Sequence, residues 1–214
     1  MPLVYQQNIN EVTRLGIWHI TEQEDFFLKQ VPLQRAISHP HKRLQHLAGR
    51  LLLKELFPNF PYELIRIADT RKPFVENEAY HFSISHCGSY AAVIVSKKNR
   101  VGVDIELFNP KVENVLPKFL DSVELDMFQQ ITNFQLPNFN HELFVLAWCV
   151  KETIYKWNGD GGIDFREHIK IENVLFTEAL QGTCECRFLK NSKKLLLVHF
   201  IFFKENCLAW VCGS

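Results

Sequence analysis

Between Ser38 and Phe57 the leucines Leu44, Leu47, Leu51, Leu52 and Leu56 recur at three- and four-residue spacing, which puts them on one face of a helix and on both faces of a strand. The spacing predicts an amphipathic helix, stopped by Pro58. A strand at 16–20 precedes it. Short strand-like runs follow at 64–68, 80–85, 91–96 and 101–107, with Lys97-Lys98-Asn99-Arg100 as the hairpin turn between the last two. After Asn109-Pro110 the order recurs: helices over 117–134 and 141–157, then strands over 168–176, 184–190, 194–203 and 207–212. No residue-level repeat accompanies it. The expected architecture is α+β, two lobes of α-then-β order over 1–107 and 108–214, with a groove between them for a ligand.

The chain has 214 residues, 47% of them hydrophobic and eighteen of them Phe, enough for a packed aromatic interior. Its 24 basic and 24 acidic residues balance to zero, so no global field is available to hold a polyanion. This argues against nucleic acid as a partner and makes any phosphate site local. The six cysteines, at 87, 149, 184, 186, 207 and 212, lack paired zinc-ligand spacing, and Cys184-Glu185-Cys186 fits alternation along a strand. Free, buried or half-buried thiols are expected. The segment 1–8 lacks the basic and apolar regions of a signal peptide, and the longest apolar run, 195–203, falls short of the roughly 20 residues of a membrane helix. A soluble, cytoplasmic, monomeric protein that binds no membrane is the expectation.

Four polar groups interrupt this apolar pattern. In Gly102-Val103-Asp104-Ile105-Glu106 the apolar residues 101, 103, 105 and 107 alternate, so Asp104 and Glu106 share the opposite face with Cα atoms about 6.5–7 Å apart. Two such carboxylates repel unless a cation lies between them, and their hard oxygens suit Mg²⁺. Taken alone the pair also fits a solvated sheet face. In Trp148-Cys149-Val150-Lys151-Glu152-Thr153-Ile154-Tyr155-Lys156-Trp157, residues 148, 152 and 156 line one helix face. Glu152 there is either a metal ligand or general base with Lys156 beside it, or half of an ordinary surface pair. Phe82-Ser83-Ile84-Ser85-His86-Cys87-Gly88 ends a strand in a turn suited to a pyrophosphate, or holds a structural histidine. Arg71-Lys72-Pro73 sets two cations in a rigid turn.

In that order and at about these separations, K-P, F-S-I-S-H, G-V-D-I-E and W-x-x-K-E resemble the two-lobed, Sfp-type 4′-phosphopantetheinyl transferases, over about residues 71–157. The resemblance implies a pseudo-dimer of two similar α+β lobes with coenzyme A in the cleft between them. It implies Mg²⁺ held by Asp104, Glu106 and Glu152, and catalysis by Glu152, Lys156 and His86. Coenzyme A would meet Lys72, Pro73, Ser85, His86 and Lys151. The serine of an apo acyl or peptidyl carrier protein would attack the β-phosphate and release 3′,5′-ADP. One departure concerns the 3′-phosphate: counting back from Gly49 puts Gln45 where some members of the family have an arginine, so Arg43 or Arg50 is expected to substitute. Cys87 and Thr153 stand where other small residues are frequent, and little consequence is expected.

Two other readings use the same residues: a metal-dependent phosphohydrolase or nuclease, and an inactive homologue that binds coenzyme A or a carrier. The segment 111–128, with Val115, Leu116, Phe119 and Leu120 beside Lys111 and Lys118, starts near the carboxylates. It is a candidate docking surface for a carrier helix, or simply packing for the second lobe.

Overall fold

The computed structural model describes residues 2–33, 36–134, 141–178 and 180–213. The chain runs β1 (Leu3–Asn10), β2 (Thr13–His19), α1 (Glu24–Leu28), α2 (Pro40–Leu56), β3 (Ile65–Ile67), β4 (Pro73–Val75), β5 (His81–Cys87), β6 (Tyr90–Ser96) and β7 (Arg100–Leu107). It continues with α3 (Leu116–Phe119), α4 (Ser122–Phe134), α5 (His141–Asn158), α6 (Phe165–His168), β8 (Ile169–Glu178), β9 (Gln181–Phe188), β10 (Lys194–Phe203) and β11 (Asn206–Gly213). The α+β expectation holds.

Two larger sheets organise these elements, one ordered β1-β2-β6-β5 and one ordered β7-β11-β10-β9-β8, with β3 and β4 as a separate pair. Of the leucine stripe of α2, Leu47, Leu51, Leu52 and Leu56 are fully buried and Leu44 half-buried, and they join Val93, Val95 and Trp18 in one core against the first sheet. Helix α5 buries Leu143, Leu146, Val150 and Ile154 against the face of the second sheet turned away from the first, in another. A third core lies between the sheets: Leu15, Ile17, Ala92 and Ile94 from the first, Val103, Ile105 and Leu208 from the second. The layers are therefore helix, sheet, sheet, helix. Every residue of β6 is buried because both faces of that strand are covered.

Two expectations are corrected. Residues 97–100 do not close a hairpin: β6 pairs with β2 and β5, while β7 pairs antiparallel with β11, from Arg100 opposite Gly213 to Leu107 opposite Asn206. The turn instead carries the chain from one sheet to the other. The single helix expected over 117–134 breaks at Leu120 and Asp121, where Asp121 accepts from the Glu124 N–H and Glu124 accepts from the Asp121 N–H. That reciprocal pair is a capping box, and it starts a new helix. The cysteines described are free thiols, four buried and two half-buried.

Gly102 fixes the spacing between β7 and α5. A Cβ there would collide with the Thr153 carbonyl oxygen and lie 2.9 Å from Trp157 Cβ, so only glycine lets the helix lie directly on the strand. That close approach brings Glu152 and Lys156 toward Asp104.

Candidate active site

Edge strands β5 and β7 meet without a backbone ladder. In its place Ser83, Ser85 and Cys87, at period two on β5, bond to β7: Ser83 Oγ accepts from the Val103 N–H at 3.2 Å, Ser85 donates to Asp104 Oδ1 at 2.7 Å, and Cys87 Sγ accepts from the Leu107 N–H at 3.2 Å. Polar side chains at alternate positions satisfy groups that an edge strand would otherwise leave unpaired. The intervening residues Ile84 and His86 point the other way, into a cavity.

Asp104 is 2% exposed, so the solvated-face reading of Asp104 and Glu106 fails. Lys156 Nζ reaches Asp104 Oδ1 at 2.5 Å and Ser85 Oγ at 2.9 Å. Burial pulls the Lys156 ammonium down, and Asp104, by charge and hydrogen bond, more than reverses this, so it stays charged. Glu106 Oε1 accepts the Trp148 indole N–H at 3.2 Å. Its carboxyl is held above the usual range by burial and then by the charge of Asp104, with Trp148 opposing. Glu152 is pushed up to about 7 by burial first and by Asp104 next, Lys156 pulling the other way and Glu106 adding to the rise. The helix face 148, 152, 156 therefore does meet the strand face 104, 106.

This cluster fits a divalent cation. Asp104 Oδ2 is buried and accepts no hydrogen bond, and the charge of Asp104 raises the proton affinity of both Glu106 and Glu152, a repulsion that a shared cation would relieve. An oxygen-only donor set suits Mg²⁺. Among the described residues no three such side chains already form a closed metal-holding group, and Lys156 is the cation that balances Asp104.

Beside the cluster lies a cavity of about 540 Å³ whose wall carries His46, Arg50, Arg66, Arg71 and His86. A second, of about 200 Å³, is lined by Lys72, Ser83, Tyr155 and Lys156 and shares Arg71, Pro73 and Ile84 with the first. Lys72 Nζ donates to the Lys156 carbonyl at 2.5 Å, at the C-terminal end of α5, and burial lowers its pKa to about 8. Gln45 does not face the cavity: its amide donates to the Gly88 carbonyl at 2.8 Å and ties α2 to the β5–β6 turn.

Two residues expected at the ligand are set apart. Arg43 pairs with Glu24 at 2.7 Å and donates to the Ile37 carbonyl. Lys151 is fully buried, ion-paired to Glu124 at 2.7 Å, and donates to the carbonyls of Phe165 and Ile169. One residue along a helix is a 100° turn, so a Glu152 facing the carboxylates sends Lys151 into the core. Of the docking candidates, Phe119 and Leu120 are 1% and 3% exposed and pack the second core, while Lys111 and Lys118 are exposed. Sequence reasoning placed Trp148 on this helix face without giving it a partner, expected little of Cys87, and passed over His46 and Arg66 in the cavity wall. The period-two spacing of 83, 85 and 87 is the signal that finds Cys87.

The chain is similar over part of its length to several known proteins. A Haemophilus influenzae protein provisionally named a 4′-phosphopantetheinyl transferase is 31% identical over 146 residues, 64% of this chain and 55% of that one. Enterobactin synthase component D of Salmonella austin is 31% identical over 116 residues, 54% of this chain and 47% of its own. The 4′-phosphopantetheinyl transferase AcpT of Escherichia coli O157:H7 is 28% identical over 123 residues, 55% of this chain and 59% of its own. The chain thus spans about half the length of these relatives. The family model described as the 4′-phosphopantetheinyl transferase superfamily matches residues 100–210, just over half of the chain, from the start of β7 through α5 into β11. With the acidic strand and the helix it meets both inside that match, the chain belongs to the 4′-phosphopantetheinyl transferase superfamily.

Proposed function

We propose that this chain is an Sfp-type transferase that moves the 4′-phosphopantetheine arm of coenzyme A onto a serine of an apo acyl or peptidyl carrier protein and releases 3′,5′-ADP. The observation that carries the reading is the convergence of Asp104, Glu106, Glu152 and Lys156 beside a cavity walled by arginines and histidines. Anionic and cationic groups so arranged suit a pyrophosphate bridged to a metal.

In this reading the lobes are 1–107 and 108–214, and β7 serves both, bonded to β11 in one and to β5 side chains of the other. The ligand lies between them. Asp104, Glu106 and Glu152 hold Mg²⁺, which supplies positive charge against the pyrophosphate oxygens when bound. Glu152 takes the proton of the attacking serine, as a positioned carboxylate can. The serine Oγ bonds to the β-phosphorus as the bridge to the α-phosphate oxygen breaks. Lys156, which reaches Ser85 and Asp104, and His86 stand where negative charge grows on the leaving phosphate. Lys72 and Pro73 form the wall beside them. An ammonium has three donors, so Lys72 keeps one for a phosphate oxygen beyond those directed at the Lys156 and Trp157 carbonyls. We assign the 3′-phosphate to Arg50 with His46 and Arg71, and not to Arg43, whose guanidinium is engaged by Glu24. Lys151 has no ligand role in this scheme.

Among the described residues no helix is long and apolar enough to cross a membrane, and a cytoplasmic monomer is part of the proposal. The test is mass spectrometry of candidate apo carriers incubated with the protein, coenzyme A and Mg²⁺. The expected result is addition of the phosphopantetheine mass to a serine. Release of 3′,5′-ADP without any carrier would favour a phosphohydrolase instead.

A further inference from the structure

Each of the two β7 carboxylates lies between a side chain of β5 and one of α5. Asp104 takes a hydrogen bond from Ser85 on β5 and an ion pair from Lys156 on α5. Two residues along each strand the arrangement recurs with different chemistry. Glu106 takes the indole N–H of Trp148 on α5 at 3.2 Å, and Cys87 on β5 lies beside it, its Sγ accepting the N–H of Leu107, the next residue along β7. Both side chains are themselves fixed. The Trp148 ring lies edge-on to Phe119, centroids 5.2 Å apart, and tilted on Phe165 at 5.7 Å, while Cys87 Sγ is anchored by the Leu107 N–H at 3.2 Å. A glutamate has three side-chain torsions and a soft terminal one, so a carboxylate held by one donor still swings. A second donor from another element would remove that freedom, and the Cys87 thiol, with its sulfur already accepting from Leu107, still has its hydrogen to give.

We propose that Trp148 and Cys87 are positioning residues that aim the Glu106 carboxylate at the metal, a role that rests on the proposed use of Mg²⁺ at this site. Neither touches a ligand. They act through Glu106, as the hydrogen-bonding partners of metal ligands commonly do, and loss of such partners typically costs about 10–100-fold in metal affinity. Cys87 is then no neutral replacement for another small residue: a hydroxyl would serve in its place and a methyl would not.

The test is calorimetric titration of Mg²⁺ into the full chain with coenzyme A present, alongside a melting curve for each variant. Trp148→Phe keeps an aromatic ring between Phe119 and Phe165 and removes the N–H; it should raise the apparent dissociation constant for Mg²⁺ about tenfold, and raised Mg²⁺ should recover most turnover. Cys87→Ala should weaken Mg²⁺ several-fold, and Cys87→Ser should stay within about twofold of wild type, a rescue that packing alone does not predict. Wild-type affinity in both Trp148→Phe and Cys87→Ala, in a protein that binds Mg²⁺, would overturn the positioning role and leave the transferase reading standing. A wild type that binds no Mg²⁺ would overturn both.

Discussion

Lys156 Nζ lies 2.5 Å from Asp104 Oδ1, and this contact joins α5 to β7 at the point where three carboxylates converge. Burial and then the charge of Asp104 push the neighbouring Glu152 up to about 7, against the pull of Lys156.

Glu152→Gln should therefore lower turnover by about 10²–10⁴-fold while coenzyme A affinity changes by no more than a few-fold, because the amide keeps the shape and cannot take a proton. Release of 3′,5′-ADP in the presence of an apo carrier measures it. Asp104→Asn should instead weaken Mg²⁺ and coenzyme A together. Near-normal turnover of Glu152→Gln at saturating Mg²⁺ would remove Glu152 from the role of base.

The same shift predicts how stability depends on pH in metal-free protein. The folded carboxyl keeps its proton up to about pH 7 and the unfolded one only to about 4.5, so stability is fully present below pH 4.5 and falls as pH rises to 7. With the partial exposure of Glu152 discounted, the loss is on the order of 1–2 kcal/mol. Urea melts at pH 4.5, 6 and 8 read it. Glu152→Gln should flatten that slope, and an unchanged slope would assign it to other groups.

Arg50→Gln should shrink the preference for coenzyme A over dephospho-coenzyme A, which we expect to be on the order of 1–3 kcal/mol in the wild type. Arg43→Gln should not. Competition binding of the two ligands decides, and equal affinities in the wild type would mean that the arginine-walled cavity takes no 3′-phosphate.

Lys151→Met leaves Glu124 charged and buried, so it should cost about 3–5 kcal/mol of stability. Protein that remains folded should bind coenzyme A as the wild type does. A stable Lys151→Met with weakened coenzyme A binding would return this lysine to the ligand site.

Carrier docking divides along the exposure seen in 111–128. Phe119→Ala should destabilise by about 3–5 kcal/mol, because the ring is buried. Lys118→Glu, on the surface, should raise the carrier KM more at low salt than at high salt and leave the melting temperature unchanged. If carrier kinetics at low salt ignore Lys118→Glu, the docking surface lies elsewhere.

The periodicities of α2 and α5 and the alternation of β7 carried most of the fold, since burial on one face writes itself into local spacing. What they could not carry was partnership. The signals at 97–100 are those of a tight turn, and nothing local tells whether β7 then pairs with β6 or with β11, more than a hundred residues on. Strand β1 was passed over because it is an edge strand with few buried positions and a polar run, Gln6-Gln7-Asn8. In the site, residues 148, 152 and 156 were legible from the helix repeat. The same repeat, applied to Lys151, already sends it away from Glu152. The break at Asp121 was also legible as D-x-x-E, a capping signal inside an apolar periodic stretch. Arg50 was weighed, yet only the cavity could separate it from Arg43.

The pairing of β7 with β11 also sets when the site can come into being. Asp104 lies opposite Ala209 and Glu106 opposite Cys207, so the acidic strand is held in its sheet by residues made about a hundred positions later. A chain emerging from the ribosome can assemble α2 on β2, β5 and β6 early, from contacts close in sequence. Closing a loop of that length costs entropy that its contacts recover only once both strands exist. The carboxylates therefore stay unaligned until synthesis has passed Asn206, and a nascent chain carries the residues of the proposed centre long before it carries their arrangement.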